Sequence, residues 1–372
     1  MKKKILFLIP NLKHGGAEKV LVNLVNNMDP EKFDITVQTL FDVGVHRGAL
    51  RDHVRYIPGR KYQPRGTTTL MKLFSPALLW RLLVKERYDI AVSYLEGPTS
   101  RILSGCTDES TKKVAWIHIE LETPEKAAIG FRSPAEATAA YNGFDRLVAV
   151  SRNVKECFLQ QLPVDAPIDI LYNTNETEQI LELCQAEPEN PDFRPGEAPA
   201  VCSVAKLTPT KGFDRLLNVH KKLLNEGLRH HIYILGVGEE QAALEHQMRD
   251  LGIEDSVTLL GFHKNPYQYV ARCDLYVCSS WREGFSTAVT ESLVVGTPVV
   301  STNCSGAKEL LGDHDEYGLV VENSEDGIYR GMKRMLSDPI LLAHYKAQAK
   351  LRGSFFSRTE TVRAVEAMLE KL

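Results

Sequence analysis

The chain has 372 residues, with 45 lysines and arginines against 48 aspartates and glutamates, a formal net charge of −3. That length favours two domains of ordinary size, and 43% hydrophobic with 25% charged residues describes a globular protein in water rather than a disordered or fibrous one. The slightly acidic balance argues against nucleic acid as the principal partner, and the seven cysteines, scattered without CxxC or zinc-finger spacing, read as small core residues in a reducing cytoplasm.

Three lysines precede the apolar run Ile5 to Ile9. The run is shorter than the ~7–15 residues of a secretory core, and Pro10 ends it, so it reads as a buried first strand. No stretch approaches the ~18 apolar residues of a membrane span. The loop 10–16 ends in Gly15 and Gly16, and residues 17–26 then carry apolar side chains at helical spacing. Glycines there suit either a tight turn or the close approach of a ligand. The loop is not GxGxxG, which weakens a nicotinamide-dinucleotide reading. Further strands are expected at 34–40, 54–57, 89–94, 113–117, 145–150 and 168–171, several separated by helical patterns. Such alternation marks a mostly parallel α/β sheet.

The stretch 47–87 stands out, with Arg47, Arg51, Arg55, Arg60, Lys61, Arg65, Lys72, Arg81, Lys85 and Arg87 against only Asp52 and Glu86. Leucines, Phe74 and Trp80 are interleaved among these cations. This composition fits an amphipathic segment lying on an anionic membrane, and equally a solvated basic face over ordinary core helices. His118 and Glu120 follow the apolar part of the 113–117 strand. A histidine at a strand end is more often structural than catalytic, but the carboxyl edge of a sheet favours a cleft. Residues 174–199, rich in Glu, Pro and Asn, read as a linker.

A second α/β series covers 200–354. Its first strand, 200–205, leads into a loop holding Lys206 and Lys211 before a helix near Phe213. Two cations at a strand–helix junction can clamp a phosphate; they can also be ordinary surface lysines. Strands follow at 231–236 and 257–262. The run 273–279 is a buried strand, 286–295 a helix that Ser286 or Thr287 can cap and Gly296 with Pro298 stops, and 298–301 the next strand. Glu283 falls in the loop of this βαβ unit and Glu291 just over one turn into its helix. Ligands bind at the carboxyl ends of such strands, where a helix N-terminus offers free N–H groups to a phosphate. Glu283 would sit beside that phosphate and Glu291 could accept hydrogen bonds from a sugar diol; the plainer alternative is a loop acid and a solvated helix acid. Residues 355–372 end in a helix with Val362, Val365, Met368 and Leu369 on one face.

Taken in order, Gly15-Gly16-Ala17-Glu18, Tyr172-Asn173, Lys206 with Lys211-Gly212, and Glu283-x7-Glu291 ending in Gly296-Thr297-Pro298 resemble the retaining glycosyltransferases of family 4 over nearly the whole chain. The resemblance implies the GT-B fold, two Rossmann-like domains facing across a cleft: 1–173 for the acceptor, with 355–372 packing back on it, and 200–354 for a nucleotide-sugar. It implies donor contacts from Gly16, Lys206, Lys211, Phe285, Ser286, Thr287 and Glu291, and catalytic roles for Glu283 and His118. Lys206 stands where the family more often has arginine, so it lacks a bidentate fork. None of these motifs contains an Asp-x-Asp metal signature, in line with the family's metal independence, and no cofactor is expected. The expected function is sugar transfer from a UDP-sugar to a glycan or lipid-linked glycan in cell-surface polysaccharide synthesis, in the cytoplasm at the inner membrane face. A nucleotide-sugar epimerase, or a non-catalytic sugar- or nucleotide-binding protein, are the alternatives on the same fold.

Overall fold

The computed structural model describes residues 2–13, 15–62, 66–196 and 198–372. His14 of the first loop and Arg65 of the basic stretch lie outside the described residues. The chain forms two compact units: Met1–Asn175 with Arg358–Leu372, and Glu176–Ser357.

The N-terminal unit is a seven-stranded sheet of β1 (Lys3–Ile9), β2 (Phe33–Thr39), β3 (Val54–Ile57), β4 (Ile90–Ser93), β5 (Lys112–Ile117), β6 (Arg146–Ala149) and β7 (Ile168–Ile170). The order is β3-β2-β1-β4-β5-β6-β7 and every pairing is parallel. Ile5 to Ile9 are fully buried, as a continuous apolar run in a sheet covered on both faces requires. The strand order reverses between β1 and β4, so the loops after those two strands flank a crevice at the carboxyl edge. The Arg358–Glu370 helix belongs to this unit. It buries Val362, Val365 and Leu369, its Glu366 accepts from the Asp29 N–H at 2.6 Å, and Lys3 Nζ caps its last carbonyls at Leu369 and Glu370, both at 3.0 Å.

The stretch 47–87 is not one basic face. It holds β3 and the short helices Thr67–Met71 and Pro76–Leu83, and several cations have local partners. Arg47 pairs with Asp42 at 3.1 Å, and Arg55 with Glu86 at 2.6 Å. Lys61, Arg81 and Lys85 remain exposed.

The C-terminal unit is a six-stranded parallel sheet of β8 (Ala200–Val204), β9 (His231–Leu235), β10 (Val257–Gly261), β11 (Leu275–Cys278), β12 (Val299–Thr302) and β13 (Leu319–Val321), ordered β10-β9-β8-β11-β12-β13. β13, three residues long, is an edge strand that the sequence reading did not single out. Within the Glu- and Pro-rich stretch expected to be a linker, Thr177–Leu183 is a helix of this unit. Its Ile180 packs with Cys184, Tyr267 and Val294, because an apolar face spaced at helical intervals outweighs the acidic composition.

Candidate active site

Strand order in the C-terminal unit reverses between β8 and β11, so the loops leaving these two strands flank its binding crevice. The β8 loop closes with Lys211 and Gly212, and the Phe213–Asn225 helix starts at once. Gly212 has φ 62°, and a Cβ there would lie 2.3 Å from the Ser279 carbonyl oxygen. Only glycine fits this approach of the two loops. Lys211 Nζ lies 2.7 Å from Glu283 Oε1, and Ser280 Oγ donates to the same oxygen at 2.6 Å. The two side chains are 23% and 14% exposed, so this ion pair is shielded but reachable. Burial opposes the charge on Lys211, but Glu283 beside it outweighs that and raises the lysine pKa. The result is a fixed cation and a fixed carboxylate at the mouth of the switch point.

Several residues hold this loop in shape. Arg215, buried in the first turn of its helix, donates from Nε and Nη2 to the Ser279 carbonyl at 2.9 and 2.5 Å. Its guanidinium also stacks 3.6 Å from the Trp281 ring centroid and bonds Asn323 Oδ1 at 2.7 Å. Thr302 Oγ1, from the neighbouring β12, donates to the Ser280 carbonyl at 2.6 Å. Ser279 Oγ donates to the Lys211 carbonyl at 2.9 Å. Both functional side chains therefore stand on a cross-linked backbone.

Past Glu283 the chain enters the Thr287–Val295 helix. Ser286 caps it, its Oγ accepting from the Val289 N–H at 3.3 Å. The Thr287 and Ala288 amides precede the first intrahelical bond and remain available to an anion. Phe285 and Ser286 are buried. Glu291 is buried on the same helix and accepts from Tyr267 Oη at 3.2 Å. Lys206, just past β8, is exposed and makes no ion pair among the described residues, unlike Lys211.

Gly16 and His118 belong to the N-terminal unit. Gly16 opens the Gly16–Asn27 helix, and a Cβ there would meet nothing within 4 Å among the described residues. His118 directly follows β5 and is buried against the Tyr94 ring, centroids 4.9 Å apart. Burial pulls its pKa down to about 3, partly offset by a hydrogen bond to the Tyr94 backbone. The imidazole is therefore neutral at physiological pH, and its buried Nε2 has no hydrogen-bond partner among the described residues. Glu96, three residues past β4, accepts the His118 backbone N–H at 3.0 Å, and burial raises its carboxyl pKa. A neutral histidine suits hydrogen bonding to a ligand better than donating charge.

Sequence reading did not single out Ser280, Arg215, Tyr267 or Glu96. A signal existed for Ser280, a hydroxyl residue three positions before the loop acid at a strand end. None existed for Arg215, whose partner lies 64 residues away.

Two family models cover most of the chain. Glycosyltransferase Family 4 matches residues 14–179, and Glycosyl transferases group 1 matches residues 187–352, the half that carries the Lys211–Glu283 pair. The chain belongs to the group 1 glycosyltransferases. Among its relatives in this family is the N-acetylgalactosamine-N,N'-diacetylbacillosaminyl-diphospho-undecaprenol 4-alpha-N-acetylgalactosaminyltransferase of Campylobacter jejuni, 36% identical over 52% of this chain and 51% of the relative. The chain thus spans about half the length of that relative. An uncharacterized glycosyltransferase of Haemophilus influenzae is 24% identical over 94% of this chain and 95% of its own. Anabaena HepE, solved with UDP, superposes with TM-score 0.77 and 22% identity over 100% of both chains. Sucrose-phosphate synthase of Thermosynechococcus elongatus gives 0.78 and 15% over 100% and 99%. At such identities the likeness concerns the fold, two Rossmann-like domains of the GT-B kind.

Proposed function

We propose that the protein moves a sugar from a UDP-sugar, with retention of anomeric configuration, to a glycan or lipid-linked glycan acceptor in cell-surface polysaccharide synthesis. The observation that carries this reading is the Lys211–Glu283 pair at the head of the Thr287–Val295 helix. Lysine has three donors, so Lys211 can keep Glu283 and still meet a diphosphate. Together with Lys206 and the Thr287 and Ala288 amides it stabilises the charge that develops on the leaving nucleoside diphosphate. This scheme asks for no metal, and activity undiminished by a chelator is the expected result. Glu283, already ion-paired, serves as a fixed anion facing the donor sugar rather than as a proton donor. Glu291 takes the ribose hydroxyls. UDP is the nucleotide in the HepE complexes, one of which holds UDP-glucose. Relatives named for diphospho-undecaprenol-linked, lipopolysaccharide-core and amylovoran synthesis support the acceptor class.

A thermal-shift screen against UDP-, GDP- and ADP-sugars, with Lys211→Ala in parallel, tests the reading, since a ligand that binds only the folded state raises the midpoint. Stabilisation by UDP-sugars that the variant loses is the expected outcome. Stabilisation by none of them overturns it. Conversion of the free donor sugar with no acceptor present identifies an epimerase instead.

Attachment to the anionic inner face of a membrane is the second half of the proposal. Among the described residues no helix is long and apolar enough to cross a membrane. The N-terminal unit does expose Leu70, Leu73, Phe74, Leu78 and Leu82 in one short segment. The backbone of that segment is tied down: buried Arg101 donates to the Met71 and Phe74 carbonyls at 3.0 and 2.9 Å, and Arg132 to the Lys72 carbonyl at 2.6 Å. Exposed leucines held on a fixed backbone, with Arg81 and Lys85 beside them, suit a lipid surface. Reversing Arg81 and Lys85 to Glu should reduce co-sedimentation with phosphatidylglycerol vesicles; unchanged co-sedimentation removes this half.

A further inference from the structure

The loop Gly284 to Ser286 is supported from beneath by the end of the helix Pro339–Phe355. Phe285 meets Phe356 edge-on, with ring centroids 5.7 Å apart and planes at 66°. Phe356 is fully buried and is the residue before Ser357, where the C-terminal unit ends and the chain returns to the N-terminal unit at Arg358. Gly306 makes room for this packing, since a Cβ there would lie 2.9 Å from Phe285 Cδ2 and 3.1 Å from the Gly284 carbonyl. Arg352 closes the cluster. Its guanidinium sits over the rings of Tyr317, Phe355 and Phe356 at 4.5–4.8 Å, and it bonds the Leu310 carbonyl at 3.0 Å and the Glu309 carbonyl. Further back, Gly353 lies so close to the Thr287–Val295 helix that a Cβ would meet the Leu293 carbonyl oxygen at 2.5 Å. The helix that would receive the phosphates and the helix that leads out of the unit are thus packed without slack.

We propose that Phe356 is a positioning residue for the donor site, its ring holding the main chain at Phe285 to Thr287 and thereby linking nucleotide occupancy to the order of the crossover at 356–358. The inference rests on the reading of that loop as donor-binding. A ligand that fixes the loop fixes Phe285, and through it the residue at which the chain leaves the unit. Coupling of this kind is reciprocal, so loosening Phe356 weakens nucleotide binding.

Phe355 is 58% exposed beside this cluster and offers a chymotrypsin site that reports local opening. The test measures UDP affinity by calorimetry and the rate of chymotryptic cleavage after Phe355, with and without saturating UDP. Phe285→Leu, Phe356→Leu and the double variant are compared with wild type. UDP should slow cleavage in the wild type. Phe356→Leu should weaken UDP by about two- to tenfold, the worth of an edge-to-face ring pair, and abolish the protection. The double variant should bind UDP no more weakly than Phe285→Leu, because both act through one contact. Cleavage after Phe355 that is indifferent to bound UDP overturns the proposal, and so do additive losses in the double variant. Should Phe356→Leu fail to fold, Phe356→Met and the wild-type protection result carry the same decision. Calorimetry that finds no nucleoside diphosphate bound, whether UDP, GDP or ADP, removes the donor-site reading itself, and that failure is distinct from binding without protection.

Discussion

Replacing Lys211 by alanine separates two roles that the ion pair combines. Pairs of exposed charges contribute about 0–1 kcal/mol and breaking a buried one costs about 3–5. With Lys211 and Glu283 at 23% and 14% exposure, and Ser280 still donating to Glu283, the structural loss should be about 2 kcal/mol. For a unit of this size that lowers the melting midpoint by about 4–8 °C. The nucleotide loses one charge-assisted hydrogen bond, about 1.5–3 kcal/mol, so UDP should bind about 10- to 150-fold more weakly. Adding Glu283→Ala removes the stranded carboxylate and should return at least about half of the lost stability, while UDP affinity stays low. Denaturant titration of the single and double variants, with UDP calorimetry on each, reads both effects. Additive stability losses would show that the pair is not coupled, and undiminished UDP affinity in Lys211→Ala would sever the lysine from the phosphate. The pH dependence has a definite sign. The folded pKa of Lys211 is raised, so its contribution is complete below the ordinary lysine value of 10.5 and is lost only as pH climbs through the higher folded value. Between pH 6 and 9 the cost of Lys211→Ala should therefore be flat.

Three further outcomes follow from the same geometry. Gly212→Ala combines positive-φ strain with a contact of 2.3 Å to the Ser279 oxygen and should cost at least about 1–3 kcal/mol, with donor binding reduced as the two loops separate; a neutral result by denaturant titration contradicts the loop contact. Buried His220 and His230 share a 2.8 Å hydrogen bond, and burial, then the charge of the other histidines, depresses the His220 pKa to about 3, so stability should decline as pH falls from about 6.5 toward 3, by up to about 1.4 kcal/mol per pH unit for each uncharged histidine, and His220→Asn should flatten that limb. Arg101→Leu takes the donor from the Met71 carbonyl and one donor each from the Phe74 carbonyl and Glu136, which keep Arg132, should cost about 3 kcal/mol or more, and should speed amide exchange across 66–83; protection there equal to wild type would show that Arg101 does not hold the segment.

What could be read in the sequence divides along a physical line. The strands β1, β8, β11 and β12 were legible because parallel strands covered on both faces are written as uninterrupted apolar runs. Glu283, Lys211 and Ser286 were legible because each sits at a strand–helix junction, where local signals mark the position in advance. β13, Leu319–Val321, was not singled out. Nor was the helix Thr177–Leu183, whose Glu-rich sequence resembles a linker until Ile180 is seen against Tyr267 and Val294. The basic stretch was legible only as a count of charges, which ignores partners: Arg55 is committed to Glu86 and Arg47 to Asp42, whereas Arg81 and Lys85 remain exposed. Arg101 shows the converse, an arginine in a helix that is almost fully buried and whose partners come from two other segments, 71–74 and Glu136.

The same distinction explains how the site is built. Its functional side chains come from short loops whose residues are set by local chemistry, and its precision comes from groups distant in sequence. Ser279 offers one carbonyl to Arg215, Ser280 offers the next to Thr302, and Gly212 lets the β8 loop lie against Ser279. Each of these contacts fixes main chain rather than a side chain. The position of Glu283 is therefore decided before any ligand arrives, and Lys211 is held by the carboxylate instead of being left to solvent. A site prepared in this way loses little entropy on binding a diphosphate. The cost is that an error in the second layer is transmitted whole: Arg215→Lys keeps a cation but forfeits the fork on Ser279, and it should weaken UDP binding severalfold although Nε and Nη2 of Arg215 are spent on protein groups.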